Sequence, residues 1–196
     1  MAIKIFGLYD IGEVKVDDIG LKRYINLDAR LMIKSHGRNR EKFGRAKVNI
    51  IERLINVLAT PGHRGKKHKI MTRVSGKYTQ EVKVILDTFK LIEEKAQENP
   101  IQVLVRAVEK ASPCDEVTTI EYGGARYPQA VDCAPTRRIN LALHNMVHGS
   151  QDKSFGKKKK LYEALADEII AASNGSNESF AITRKVETEK QADSAR

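Results

Sequence analysis

The sequence predicts a mainly α fold: a compact bundle of about six helices with a protruding two-stranded β-ribbon and a basic N-terminal extension. Three observations predict it. Apolar residues recur at helical spacing through most of the chain after residue 47. The period changes to two only around Gly123-Gly124. Cations crowd into residues 34–77, which hold thirteen Lys and Arg against Glu41 and Glu52. The division this suggests is an extension over residues 1–46, basic at its end, followed by a helical domain over 47–196.

Each element has a local cause. In the first thirty residues, Ile3, Ile5 and Val14, Val16 alternate with Lys, which reads as two short strands turning through Gly7 to Gly12. KVNIIERLINVLA (47–59) places Val48, Ile51, Leu54, Ile55 and Leu58 on one helical face, and Thr60-Pro61-Gly62 stops it. A basic loop follows. Thr79 is read as the cap of a second helix running to about Gln97, with Val82, Ile85, Leu86, Phe89 and Ile92 on its stripe. Asn99-Pro100 starts a third helix, Asn as the cap and Pro in the first helical position, and it runs to about Ala111.

VTTIEY-GG-ARYPQAV then reads as a hairpin within 116–132. Its two central glycines permit the positive φ angles of a two-residue turn. The simplest register sets Glu121 opposite Arg126 and Ile120 opposite Tyr127. Pro128 cannot donate to a ladder, so the ribbon is an edge structure. A fourth helix follows Pro135, with Ile139, Leu143, Met146 and Val147 inward and Gly149 read as its end. A fifth runs from the KKKK run (157–160) to Asn174-Gly175. The last stretch, within 178–196, has few apolar anchors and reads either as a helix packed on a partner or as a frayed tail.

Composition narrows the function. The chain has 196 residues, a net charge of +10 and two cysteines. No apolar run approaches the roughly 18 residues of a membrane span, the N-terminus does not read as a signal peptide, and two cysteines cannot staple a secreted module. A reducing cytoplasm is the expected setting, with no membrane partner. Residues 1–33 sum to zero charge and residues 34–77 to +11, and Arg137 to Lys160 form a second local patch of +6. A single charge run is as readily a solvated face as a binding face. Cations this segregated repel one another unless a polyanion neutralises them, and the loops lack the apolar residues that membrane-surface helices insert.

Catalytic chemistry finds no footing. Cys114 and Cys133 lie nineteen apart without a knuckle, and His144 and His148 are explained as ordinary helix residues, so no metal is expected. There is no phosphate loop of the Gly-x-x-x-x-Gly-Lys type and no carboxylate pair placed for acid–base work. No cofactor and no enzymatic activity are expected. For Arg126, a cross-strand pair with Glu121 and presentation of Arg and Tyr to RNA remain equally open from spacing alone. A basic helical DNA-binding protein is the alternative, although the cations lie in loops more than along one recognition helix.

The segment GGARYPQAVDCAPTRRINLAL resembles the hairpin and following helix of the small-subunit ribosomal protein seven family. The matching residues are Gly123, Gly124, Ala125, Tyr127 and Val131, then Pro135, Arg137, Arg138 and Leu141 to Leu143. NPIQVLVRAVEKASP, LYEALADEIIAAS and AITRKVETEKQADSAR are similar to three further family elements. The long N-terminal extension and the inserted basic loop 60–79 look like the archaeal and eukaryotic branch.

The resemblance implies a structural, rRNA-binding protein of the small ribosomal subunit. It implies primary binding to a junction in the 3′ domain of the rRNA, nucleating assembly of the head beside neighbouring head proteins. The ribbon and C-terminal region are then expected near the exit-site tRNA and mRNA. The residues expected to meet rRNA are Arg38, Arg40, Lys42, Arg45, Lys47, Arg64, Lys66, Lys67, Lys69, Lys77, Arg126, Tyr127, Arg137, Arg138, Lys153, Lys157 and Lys158, with Gly123, Gly124 and Ala125 shaping the ribbon tip.

Overall fold

The computed structural model describes residues 4–35, 40–64, 69–70 and 76–196. Among these are seven α-helices: α1 (Ile19–Lys22), α2 (Ile50–Ala59), α3 (Tyr78–Ala96), α4 (Pro100–Ala111), α5 (Pro135–Ser154), α6 (Leu161–Asn174) and α7 (Phe180–Ser194). A two-residue antiparallel pair, β1 (His63–Arg64) with β2 (Lys69–Ile70), follows α2. The ribbon is β3 (Asp115–Tyr122) with β4 (Ala125–Asp132). No helix among the described residues is long and apolar enough to cross a membrane.

α6 lies at the centre, against α3, α4, α5 and α7. Its inward residues include Ala164, Ala166 and Ala172, small side chains that let neighbouring helices approach closely. α4 supplies much of the remaining core through Ile101, Val103, Leu104, Val105 and Val108. It begins where the Asn-Pro pair predicts: the Asn99 side chain accepts from Ile101 N at 3.0 Å, and Pro100 takes the first turn.

The described residues among the first thirty do not form two strands, and Ile3 lies outside them. Apart from α1 and isolated bridges of Ile5 with Tyr9 and of Asn26 with Asn49, the described part of this segment is a strap held by Asn99 and side chains of α4. Gln102 both donates to Lys15 O and accepts from Lys15 N, Asn99 donates to Asp10 O, and Glu109 accepts from Asp17 N and Asp18 N at 2.7 and 3.0 Å. These bonds satisfy backbone groups that a ladder would otherwise pair. Ile5, Leu21, Ile25 and Ile33 are buried with the helical core, and the Tyr9 ring meets Phe89 edge-on at 5.7 Å.

Three boundaries differ from the sequence reading. α2 starts at Ile50, not Lys47, because Asn49 is extended and caps it, accepting from Ile51 N at 2.9 Å. Residues Gly44–Lys47 form a separate 3₁₀ turn. α3 starts at Tyr78, one residue before Thr79. α5 continues through Gly149 to Ser154. Gly149 is there for space: a Cβ would sit 2.6 Å from the Phe180 Cβ and 3.0 Å from the Glu168 carboxyl carbon. The C-terminal stretch is a helix packed on its own chain, against α5 and β3, capped by Ser179.

Gly149→Ala sets a helix-propensity gain of about 1 kcal/mol against an overpacking cost of about 1–3 kcal/mol. Because the obstructing atom is a Cβ close to the backbone, the expected outcome is a net loss of about 1 kcal/mol by chemical denaturation. A stabilised variant would contradict the close packing.

Candidate nucleic-acid interface

The ribbon has the register its sequence predicts, with Glu121 opposite Arg126 and Ile120 opposite Tyr127. Gly123 and Gly124 turn it with φ of 57° and 81°, the pair of left-handed angles a primed turn demands. Residues 118–129 are exposed on both faces, Tyr122 to 83% and Tyr127 to 59%. The Arg126–Glu121 pair spans 3.4 Å and both partners are exposed, so it is worth at most about 1 kcal/mol and is readily exchanged for another anion. Arg126 is the ribbon's one cation, against Asp115, Glu116, Glu121 and Asp132. The tip therefore offers aromatic faces more than charge.

The ribbon root is clamped. Cys133 N donates to Cys114 O at 2.7 Å. Arg137 Nε donates to Glu116 at 2.7 Å, and Arg196 of the C-terminal residues pairs with Asp115 at 2.6 Å. Glu189 on α7 accepts from Cys114 N. Arg138 reaches further: its Nε donates to Pro113 O at 3.1 Å and its Nη2 to Asp18 at 3.0 Å, joining α5, the ribbon root and the N-terminal strap. The Arg138 side chain is only 15% exposed, whereas that of Arg137 is 57% exposed and can address a phosphate while holding Glu116. Burial and the neighbouring Glu116 push the Cys133 thiol up to about 11, so it remains a protonated thiol at neutral pH.

The cations of residues 40–47 surround the 3₁₀ turn. Arg40, Lys42, Arg45 and Lys47 are exposed. Lys47 pairs with Glu41 at 2.5 Å, and Lys42 lies 5.5 Å over the ring of the exposed Phe43. Lys77 precedes α3 as its N-cap residue. Lys157 and Lys158 are exposed just before α6, while Lys159 pairs with Asp167, which also holds Lys95 at 2.6 Å. Lys153 points inward instead, donating to the buried Glu168 at 2.5 Å. Arg38, Lys66 and Lys67 lie outside the described residues, and Arg64 and Lys69 enter through their backbone pairing.

The amino-acid sequence matches a known family. The family model described as Ribosomal protein S7p/S5e matches residues 21–196. The chain belongs to the ribosomal protein S7p/S5e family. It is similar to the small ribosomal subunit protein uS7 of Nanoarchaeum equitans, 50% identical with the whole of both chains covered. It is 40% identical to that of Archaeoglobus fulgidus over 98% of this chain and 94% of the relative. With that of Methanothermobacter thermautotrophicus the identity is 41%, over 97% and 98%. The family is structural and non-enzymatic, and this chain is an archaeal-type S7p/S5e member.

The S7p/S5e chain also has a cleft that sequence reasoning missed. Between α2 and α5 lies a cavity of about 500 Å³ lined by Arg45, Arg53, Asn56, Asn140 and His144 among others. Arg53 sits within the apolar stripe of α2, where a single charge between buried neighbours carries no sequence signal. Burial and then the nearby His148 push the His144 ring below its usual range, so it is neutral at physiological pH. The two rings lie 3.8 Å apart, and a His148 ring nitrogen faces Pro61 O at 2.9 Å.

Arg138→Ala leaves Asp18 and Pro113 O without their donor and is expected to cost about 2 kcal/mol. Chemical denaturation measures this. A loss below about 0.5 kcal/mol would remove the clamp from the account.

Proposed function

We propose that this constituent of the small ribosomal subunit binds a folded junction in the 3′ domain of small-subunit rRNA and nucleates assembly of the head. The ribbon and C-terminal helix then face the exit-site tRNA and mRNA path, with neighbouring head proteins alongside. The observation that carries the reading is the segregation of charge. Residues 34–77 carry +11, while the rest of the chain is close to neutral. The exposed cations of residues 40–47 are answered by few carboxylates: Glu41 takes Lys47, and Glu52 is turned inward to Ser35. Lys157 and Lys158 add cations at the start of α6, the end of a helix whose dipole repels them. A polyanion removes both penalties, and counterion release drives its binding.

Folded RNA fits this surface better than duplex DNA. The cations are gathered on a 3₁₀ turn, loops and a helix start, not along one exposed helix face that a major groove would accept. The exposed Tyr122 and Tyr127 suit unpaired bases, which RNA junctions and loops provide. Within this interface we assign phosphate contacts to Arg40, Lys42, Arg45, Lys47, Arg137, Lys157 and Lys158. Arg138 and Lys153 act by holding the ribbon root and α7 in place.

A 3′-domain rRNA fragment is expected to bind with a steep salt dependence and to resist competition from duplex DNA and from unrelated folded RNA. Replacing Lys157 and Lys158 with Ala is expected to lower the slope of log affinity against log salt by about two units. Equal displacement by every polyanion would sink the junction-specific reading, and an unchanged slope would remove these two lysines from the interface.

A further inference from the structure

We infer that the cleft between α2 and α5 is a seat for one RNA backbone phosphate, held by Arg53 and Arg45. The inference rests on the rRNA-binding reading and adds a site to it. Arg53 is 4% exposed, and its guanidinium is incompletely used. Nη1 donates to Tyr24 O at 3.1 Å and Nη2 to the Asn140 side-chain oxygen at 2.9 Å, while Nε is buried with no partner among the described residues. Both partners are neutral. A buried guanidinium ordinarily meets a carboxylate, because an unpaired charge away from water is costly.

Among the described residues no carboxylate lines this cleft. Glu52, the preceding residue in the chain, is engaged by Ser35, which also lines the cleft, accepting from its N at 2.8 Å and its Oγ at 2.6 Å. Another cation, Arg45, lines the same cleft, and burial and then Arg45 push Arg53 down to about 10. Two like charges lining one cavity, with the side-chain amides of Asn56 and Asn140 beside them, form a set of donors that lacks its acceptor. A phosphodiester supplies an acceptor with a full negative charge and two non-bridging oxygens, which suits the planar donor fork of an arginine. The cleft is also continuous with the exposed cations, since Arg45 belongs to the 3₁₀ turn as well.

The test uses the full chain, isotope-labelled so that the Arg53 Nε–Hε signal is resolved by NMR. The probes are a 3′-domain rRNA fragment and, separately, inorganic phosphate at the same concentration. The expected result is a downfield shift of that signal with RNA and none with inorganic phosphate. Asn56→Asp, which places a carboxylate in the cleft, is expected to raise the thermal midpoint by about 3 °C by supplying the missing anion. The same change is expected to weaken RNA affinity about tenfold. Should that variant not fold, the Arg53 signal of the unaltered chain decides alone. RNA binding with the Arg53 signal unmoved overturns this inference and leaves the broader function standing. An equal shift with inorganic phosphate overturns RNA as the occupant. Failure of the RNA to bind at all overturns both.

Discussion

A carboxylate with no exposed surface fixes how the last three helices meet. Glu168, in the middle of α6, accepts from Lys153 Nζ of α5 at 2.5 Å, from Ser179 Oγ at 2.7 Å and from Ala181 N at 3.1 Å. The last two lie at the N-terminus of α7, where the free amides and the helix dipole favour a negative charge. A buried carboxylate tolerates little displacement of these donors, because losing one leaves charge uncompensated. Gly149 of α5 is tight against the same carboxylate and against Phe180. The angle of α5 is thereby set at its C-terminal end.

The ribbon root, one wall of the cleft and α7 depend on that angle. The N-terminal end of α5 carries Arg137 and Arg138, which hold the ribbon root. Its middle carries Asn140 and His144, which face α2 across the cleft. α7, anchored at the same carboxylate, returns along the ribbon and bonds Cys114 N through Glu189. The ribbon tip is exposed on both faces, and a two-stranded hairpin alone is marginal in water. Its orientation is inherited from α5 and α7, while the strap of the first thirty residues stays near neutral and binds α4 through backbone groups.

Much of this was legible where the signal is local. Asn99-Pro100 marked the start of α4 to the residue, since the cap and the first-turn proline are properties of adjacent positions. Gly123-Gly124 marked the ribbon and its register for the same reason. Gly149 was misread as a helix end because the residues that require it, Glu168 and Phe180, are distant in the chain. Lys153 and Arg138 were counted with the cations because a charge count does not see Glu168 or Asp18 across fifteen and 120 positions. Arg53 was invisible for the converse reason: its significance lies in the lack of a carboxylate around it, which only the folded chain displays.

The proposed interface comprises the basic turn at residues 40–47, the cleft between α2 and α5, and the start of α6. Amide hydrogen exchange of the full chain, free and bound to a 3′-domain rRNA fragment, tests it directly. The account expects added protection around residues 40–48, at the cleft between α2 and α5, and at the start of α6. It expects none along the outer face of α3, where Lys83, Asp87, Lys90 and Glu94 are exposed and balanced in charge. Protection centred on α3, with the basic turn and the start of α6 unchanged, would contradict it.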